Sequence, residues 1–265
     1  MKYGRVVIFG AGPAGMAIAH AADQRGYVPT IYSKAGGKSQ MFGAQYLHKS
    51  IVGNCHPVNV SHHFQGTVDG YRRKVYGGSW GGIVSPQEFV GIQPAWDIRG
   101  EYDYLWDKYG ERVVDFCARA DLLEDIKPLL VNEYEYVFST VPRNTICGKY
   151  SQHKFEAQQI WAAGDAPELG RESPINCFDN TIICDGTSDT GWYRLARVFG
   201  HTTVEWPGGD GRSKPPVEGI ARVTKPLWTD CDCHGYMHHM GRYGAWQKGI
   251  LVHHVYEQAL EVMGR

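Results

Sequence analysis

RVVIFGAGPAGMAIAHAADQRG, residues 5–26, decides the fold. RVVIF is a short apolar run, the pattern of a parallel strand buried on both faces. Gly10, Gly12 and Gly15 follow as GxGxxG. The alanine-rich stretch after them has the spacing of a helix packed closely on a sheet, closed by Gly26. VPTIYS (28–33) is the next strand. Strand, glycine turn, helix and strand in that order form the nucleotide-binding half of a doubly wound, Rossmann-like α/β fold. In such a turn the first glycine permits the bend, the second admits a pyrophosphate and the third allows close helix packing. With Pro13 and Ala14 the turn opens a helix whose N-terminal N–H groups and dipole favour phosphate.

One part of the pattern is missing. About 20 residues on, an acidic side chain normally holds the adenosine ribose. Here that region offers Tyr32, Ser33 and Lys34. Ser33 can still hydrogen-bond a ribose hydroxyl and Lys34 can approach a phosphate. The same pair suits the 2′-phosphate of NADP, so the residues alone leave the dinucleotide open.

The rest of the chain sets bounds. A length of 265 residues gives one sizeable core or two small domains, and 43% hydrophobic residues with a net charge of −1 describe an ordinary globular protein. No apolar run is long enough to cross a bilayer, and MKYGRVVIFG does not read as a signal peptide. The near-neutral balance argues against a broad nucleic-acid surface, which leaves DNA as a partner without support from charge. The seven cysteines are odd in number and scattered, which points to reduced thiols and a cytoplasmic location.

Residues 36–82 are rich in Gly, His, Ser and Tyr with weak periodicity, and read as irregular loops and short strands covering a ligand. Residues 85–126 carry helical spacing, with Tyr102, Leu105, Trp106 and Tyr109 on one stripe and a capping box at Ser85, Pro86 and Glu88. EYEYVFSTVPR (133–143) reads as a strand returning to the first sheet. KFEAQQIWAAG, FDNTIICDG, WYRLARVFG and HTTVEWP predict a separate antiparallel sheet, and a closing helix starts from about Ala245. The expected division is a dinucleotide-binding domain of residues 1–50, 131–147 and 236–265. A smaller antiparallel-sheet and helical substrate domain takes 51–130 and 148–235.

Few motifs point to other chemistry. WAAGDAP (161–167) resembles the second flavin motif of disulfide-reductase flavoproteins, but Pro167, Gly170 and Pro174 favour a plain strand ending in a turn. CDCHGYMHH (231–239) gathers two Cys and three His. With no CxxC or HxxxH half elsewhere a metal site is the lesser reading; Cys231, Cys233 and His234 read rather as a redox thiol group or a polar substrate mouth, and a Cys-x-Cys disulfide would be strained. His62–His63, His253–His254 and Cys55–His56 read as surface or helix positions. Trp96, Asp97, Arg99, Tyr102 and Tyr104 fit a substrate contact less well than a packed helix face. Hydrolase and kinase signatures are absent.

Three segments together resemble the flavin-binding amine-oxidase-like group, and within it the UDP-galactopyranose mutases. They are VVIFGAGPAGMAIAH with the later Gly36–Gly37 pair, GAQYLH (43–48), and MGRYGAWQKGILVHHVYEQAL (240–260). YEYVFSTVP and WYRLARVFGHTTVEWP are similar to further strands of that group. The resemblance implies FAD, held by Gly10, Gly12, Gly15, Gly36 and Gly37 and bordered by Gly241, Arg242 and Tyr243, with a helix from near Trp246 aimed at the flavin. Gln45 stands where the mutases have the first of two histidines and His48 matches the second; Arg194 falls one place from their substrate arginine.

The expected activity is that of an FAD-dependent oxidoreductase taking a hydride from a small polar, amine- or nucleotide-containing substrate. His48, Gln45, Tyr193, Arg194 and Cys231 are its candidate catalytic residues. His48 or Cys231 is the choice for proton transfer. The alternatives are a mutase-like non-redox flavoenzyme on a sugar nucleotide, a flavoenzyme tailoring modified DNA bases, and a non-catalytic NAD(P)-binding redox sensor.

Overall fold

The computed structural model describes residues 4–34, 37–43, 46–53, 55–77, 90–164, 179–209 and 212–264. Strand β1 (Arg5–Phe9) buries every residue after Arg5. Its side chains alternate, so Val6 and Ile8 face one layer of helices while Val7 and Phe9 face another. Helix α1 (Pro13–Gln24) leads into β2 (Val28–Ser33), parallel to β1 with Phe9 opposite Tyr32.

The chain then builds a second sheet before completing the first. β3 (Val58–Gly66), α2 (Val68–Tyr76) and β4 (Gly91–Ala95) belong to the second. α3 (Ile98–Tyr109), β5 (Val113–Asp115), α4 (Ala120–Glu133) and β6 (Tyr136–Ser139) return to the first. After the short α5 (Arg143–Ile146) come β7 (Phe155–Ala163), β8 (Thr181–Gly186), β9 (Arg194–Val198), β10 (His201–Pro207) and β11 (Ile220–Thr229). β12 (His238–His239), α6 (Gly241–Gly244) and α7 (Val252–Val262) close the chain on the first sheet.

The first sheet is parallel throughout, in the order β12-β6-β1-β2-β5. On one face Met16 and Ile18 of α1, Tyr102, Leu105 and Tyr109 of α3, and Val255 and Ala259 of α7 share a core. On the other, Leu123 and Leu130 of α4 pack with Val7, Phe9 and Ile146. The second sheet runs β11-β7-β10-β9-β8-β3-β4, and Tyr71 and Val75 of α2 pack against it.

Several expectations change. Residues 68–76, read as loop and strand, are helical because Thr67 caps the Gly70 N–H and Gly77, at φ +64°, ends the helix. Residues 91–95 are a strand, and the helix after them starts at Asp97, whose carboxylate accepts from the Arg99 N–H at 2.9 Å. The stretch 98–130, expected in the substrate domain, sits against the parallel sheet: the Tyr102–Tyr109 stripe needs an apolar partner and finds it on α1. The second sheet is mixed, since β3 and β8 pair in parallel. The closing helix begins at Val252, not near Ala245, with Trp246 held at φ +51° in the link before it. The Ser85 capping box lies outside the described residues.

Candidate active site

The glycine turn lies where the order of the parallel sheet reverses. β1 connects through α1 to β2 on one side and pairs with β6 on the other, so a crevice opens beyond the carboxyl ends of β1 and β6. The three glycines have different reasons to be there. Gly10 takes φ +103°, and a Cβ on it would fall 2.4 Å from Thr140 Oγ1. A Cβ on Gly15 would fall 1.8 Å from the Gly10 carbonyl oxygen. Gly12 has φ −71° and ψ 179°, open to any residue, and the atom nearest an added Cβ is Ser39 Oγ at 3.7 Å.

Nothing among the described residues requires glycine at 12. The room in front of it, at an α1 N-terminus with no side-chain cap and no acidic residue in its first turn, suits a pyrophosphate. Tyr102 fixes the turn by donating to the Ala11 carbonyl at 2.8 Å, and its hydroxyl accepts from the Ser39 N–H at 3.0 Å.

The C-terminal segment reaches the same place. Met240 N–H donates to the Ser139 carbonyl at 2.9 Å, and a Cβ on Gly244 would fall 2.4 Å from that oxygen. Gly241, at φ +76°, lies against Ala14. Beyond it Tyr243 donates to the Thr224 carbonyl at 2.8 Å and Trp246 Nε1 to the Glu156 carbonyl at 3.0 Å, tying the segment to the second sheet. Between the sheets is a cleft of about 420 Å³, lined by Phe42, Pro142, Asn144, Val223, Tyr243 and Trp246 among others. Arg242 is held by the Pro226 carbonyl at 3.4 Å, while its buried Nε has no hydrogen-bond partner among the described residues. An acceptor on a bound group would satisfy it.

At the end of β2, the Ser33 carbonyl accepts from the Phe116 N–H at 3.0 Å, and Lys34 is exposed. Gly37 is exposed with open space around it. Gly36, Gln45 and Asp165 of the WAAGDAP motif lie outside the described residues.

The candidate catalytic residues fall into three groups. Tyr193 and Arg194 join a charge cluster on the second sheet that no sequence motif announces. Glu205 Oε2 lies 2.6 Å from Lys225 Nζ and 3.5 Å from Arg194 Nη1, and Lys225 also reaches the Tyr193 hydroxyl at 3.2 Å. Gly43 passes so close that a Cβ would fall 2.4 Å from Glu205 Oε1. Burial alone would raise the Glu205 carboxyl, but Lys225 and Arg194 outweigh it and hold it down at about 2. Burial pushes Lys225 down to about 8, with Glu205 opposing and Arg194 and Arg242 assisting. The neighbouring cations are what holds Glu205 down, whereas burial is the main cause of the Lys225 shift. The carboxylate is sealed, with 4% of its side chain exposed, whereas Arg194 keeps 29% open.

His48 belongs elsewhere. Its ring lies 5.0 Å from Tyr46 and 5.7 Å from His253 of α7, and partial burial together with His254 lowers its pKa. Next to it is a network the sequence did not indicate. His62 Nε2 is 3.1 Å from the Tyr46 hydroxyl and 2.8 Å from Gln93 Nε2, and burial with nearby Arg194 pushes the imidazole down to about 4. His62 is therefore a strand residue in an internal network, and not the surface position expected. Cys231 sits apart, with Cys147, His153 and Cys233. None of the six described cysteines is in a disulfide.

No family model and no curated protein matches the sequence. Solved structures do. The myxobacterial chondrochloren halogenase CndH, described as a new variant of FAD-dependent halogenases, aligns over 99% of this chain and 74% of its own at TM-score 0.53 and 12% identity. The substrate-free form of the rebeccamycin biosynthetic enzyme RebC aligns over 98% of this chain and 66% of its own at TM-score 0.50 and 13% identity. For 2,6-dihydroxypyridine-3-hydroxylase from Arthrobacter nicotinovorans the values are 80%, 58%, 0.46 and 11%. The chain thus spans less than two thirds of the length of the hydroxylase and about two thirds of RebC. At such identities the likeness is one of fold alone, here a parallel sheet joined to a mixed sheet. It does not support the amine-oxidase-like group or the mutases in particular. No helix among the described residues is long and apolar enough to cross a membrane.

Proposed function

We propose that the chain binds FAD and acts as a flavin-dependent oxidoreductase on a small substrate bearing negative charge. Gly12 carries the reading: a glycine without a conformational or packing reason stands before an uncapped helix at the reversal point of a parallel sheet. The fold shared with CndH, an FAD-dependent halogenase, supports the same cofactor. Gly10, Gly12, Pro13, Ala14 and Gly15 would hold the pyrophosphate, and Ser33 the adenosine ribose. Gly241, Arg242, Tyr243 and Trp246 would border the flavin.

FAD held by these residues would supply the redox chemistry, as the acceptor of a hydride. The chain contributes position and field. Among the described residues, Arg194, Lys225 and Arg242 gather around the Glu205 carboxylate, and their surplus positive charge favours an anionic substrate group. Phe42 and Trp246 give the cleft apolar walls. His48, with its imidazole biased to the neutral form, suits a proton acceptor.

Anaerobic mixing of the FAD-loaded protein with a panel of small carboxylates and phosphorylated amines tests the reaction. Bleaching of the oxidised flavin by an anionic member, and not by its neutral ester, is the expected result. Turnover of a sugar nucleotide with no net electron acceptor would favour the mutase-like reading. Tight NADP binding without flavin would favour the redox sensor.

A further inference from the structure

We propose that Cys147, His153, Cys231 and Cys233 bind one zinc ion, which clips the β6–β7 connection to the β11–β12 connection. The sequence makes a metal the lesser reading because its CxC pair has no recognisable second half. The fold supplies that half: Cys147 follows α5 directly, and His153 lies just before β7.

The donor atoms lie close to the spacing of a tetrahedral site. The four donor atoms lie within 4.8 Å of one another. Cys147 Sγ is 3.7 Å from Cys233 Sγ and 3.2 Å from His153 Nδ1, and Cys233 Sγ is 3.9 Å from the same nitrogen. Zinc bonded to sulfur at about 2.3 Å and to nitrogen at about 2.0 Å places neighbouring donors roughly 3.5–3.8 Å apart in a tetrahedron. A disulfide would use two of the sulfurs and leave the third thiol and the imidazole unexplained; one cation uses all four.

The surroundings fit a metal. His153 turns Nδ1 to the sulfurs and Nε2 towards Asp232 Oδ1 at 3.4 Å, the carboxylate contact that orients a ligating imidazole. Three thiolates on a divalent ion leave one surplus negative charge. Arg143, a buried cation, donates from Nη2 to the carbonyls of Cys231 and Cys233 at 2.8 and 3.0 Å. With four protein ligands the site is closed, so its role is structural. α5 supplies Asn144 and Thr145 to the wall of the cleft, and Cys147 anchors the end of that helix. Zinc binding here is independent of the flavin.

The test is the metal content of protein purified under reducing conditions without chelator. About one zinc per chain, retained through dialysis, is expected. Cys147→Ser and Cys231→Ser should each weaken retention at least about tenfold. Because either variant can fail to fold, wild-type protein stripped of metal is also titrated with Co²⁺ alone. One equivalent should produce the visible bands of tetrahedral cobalt and an intense thiolate charge-transfer band, both abolished by zinc. Trace metal with no such bands, or a metal-free chain two hydrogens lighter through a disulfide, would overturn the proposal.

Discussion

Gly241 rests on Ala14, so that a methyl group on Gly241 would lie 3.1 Å from the Ala14 Cβ. This contact joins the C-terminal segment that carries Arg242 and Tyr243 to the first turn of α1. Gly241 also holds φ +76°, so a side chain there meets both backbone strain and a neighbour. Gly241→Val should destabilise the fold by about 1–3 kcal/mol and weaken FAD retention. Thermal melts with and without added FAD would check both effects.

Gly12 and Gly15 should separate folding from binding. Gly12→Ala meets nothing closer than Ser39 Oγ at 3.7 Å, so the melting temperature without cofactor should stay within a degree or two of wild type. FAD affinity should fall by at least about tenfold, because the methyl group occupies the phosphate approach. Gly15→Ala would place Cβ 1.8 Å from the Gly10 oxygen and should yield little folded protein.

Breaking the buried charge cluster should be costly and dependent on acid. Glu205 is held at about 2 against an ordinary 4.5, so its pairing stabilises the fold fully above about pH 4.5 and is lost as pH falls through 2. Glu205→Gln should cost about 3 kcal/mol at neutral pH. The gap from wild type should narrow steadily below about pH 4.5. Urea titrations over that range would read it.

His62 gives a second pH signature with its own window. Its pKa is depressed to about 4, so the unfolded chain binds the extra proton between the ordinary 6.5 and that value. Stability contributed by neutral His62 is therefore present above pH 6.5 and lost as pH falls to about 4. His62→Gln should show a shallower decline across that interval than wild type.

Legibility follows sequence distance. The first strand, turn and helix are readable because each signal is local: an apolar run, glycines at fixed spacing, an alanine face. The Tyr102–Tyr109 stripe announces a packed helix, although not the sheet it covers. The charge cluster is invisible in the sequence. Arg194 and Glu205 meet because β9 and β10 register them opposite each other, and Lys225 arrives from β11, on the far side of β7. Register of that kind depends on the whole sheet, and no short pattern encodes it. The same holds for Cys147 and His153, which precede β7, because their partners follow β11, the strand that pairs with it. The missing acid after β2 is legible: Ser33 ends the strand with its carbonyl accepting from the Phe116 N–H.

The most direct test of the central claim is the visible absorbance of the purified protein after incubation with FAD and gel filtration. Oxidised-flavin bands eluting with the protein at about one cofactor per chain, and strongly reduced in Gly12→Ala, are predicted. A colourless wild-type protein that takes up no FAD would contradict the account.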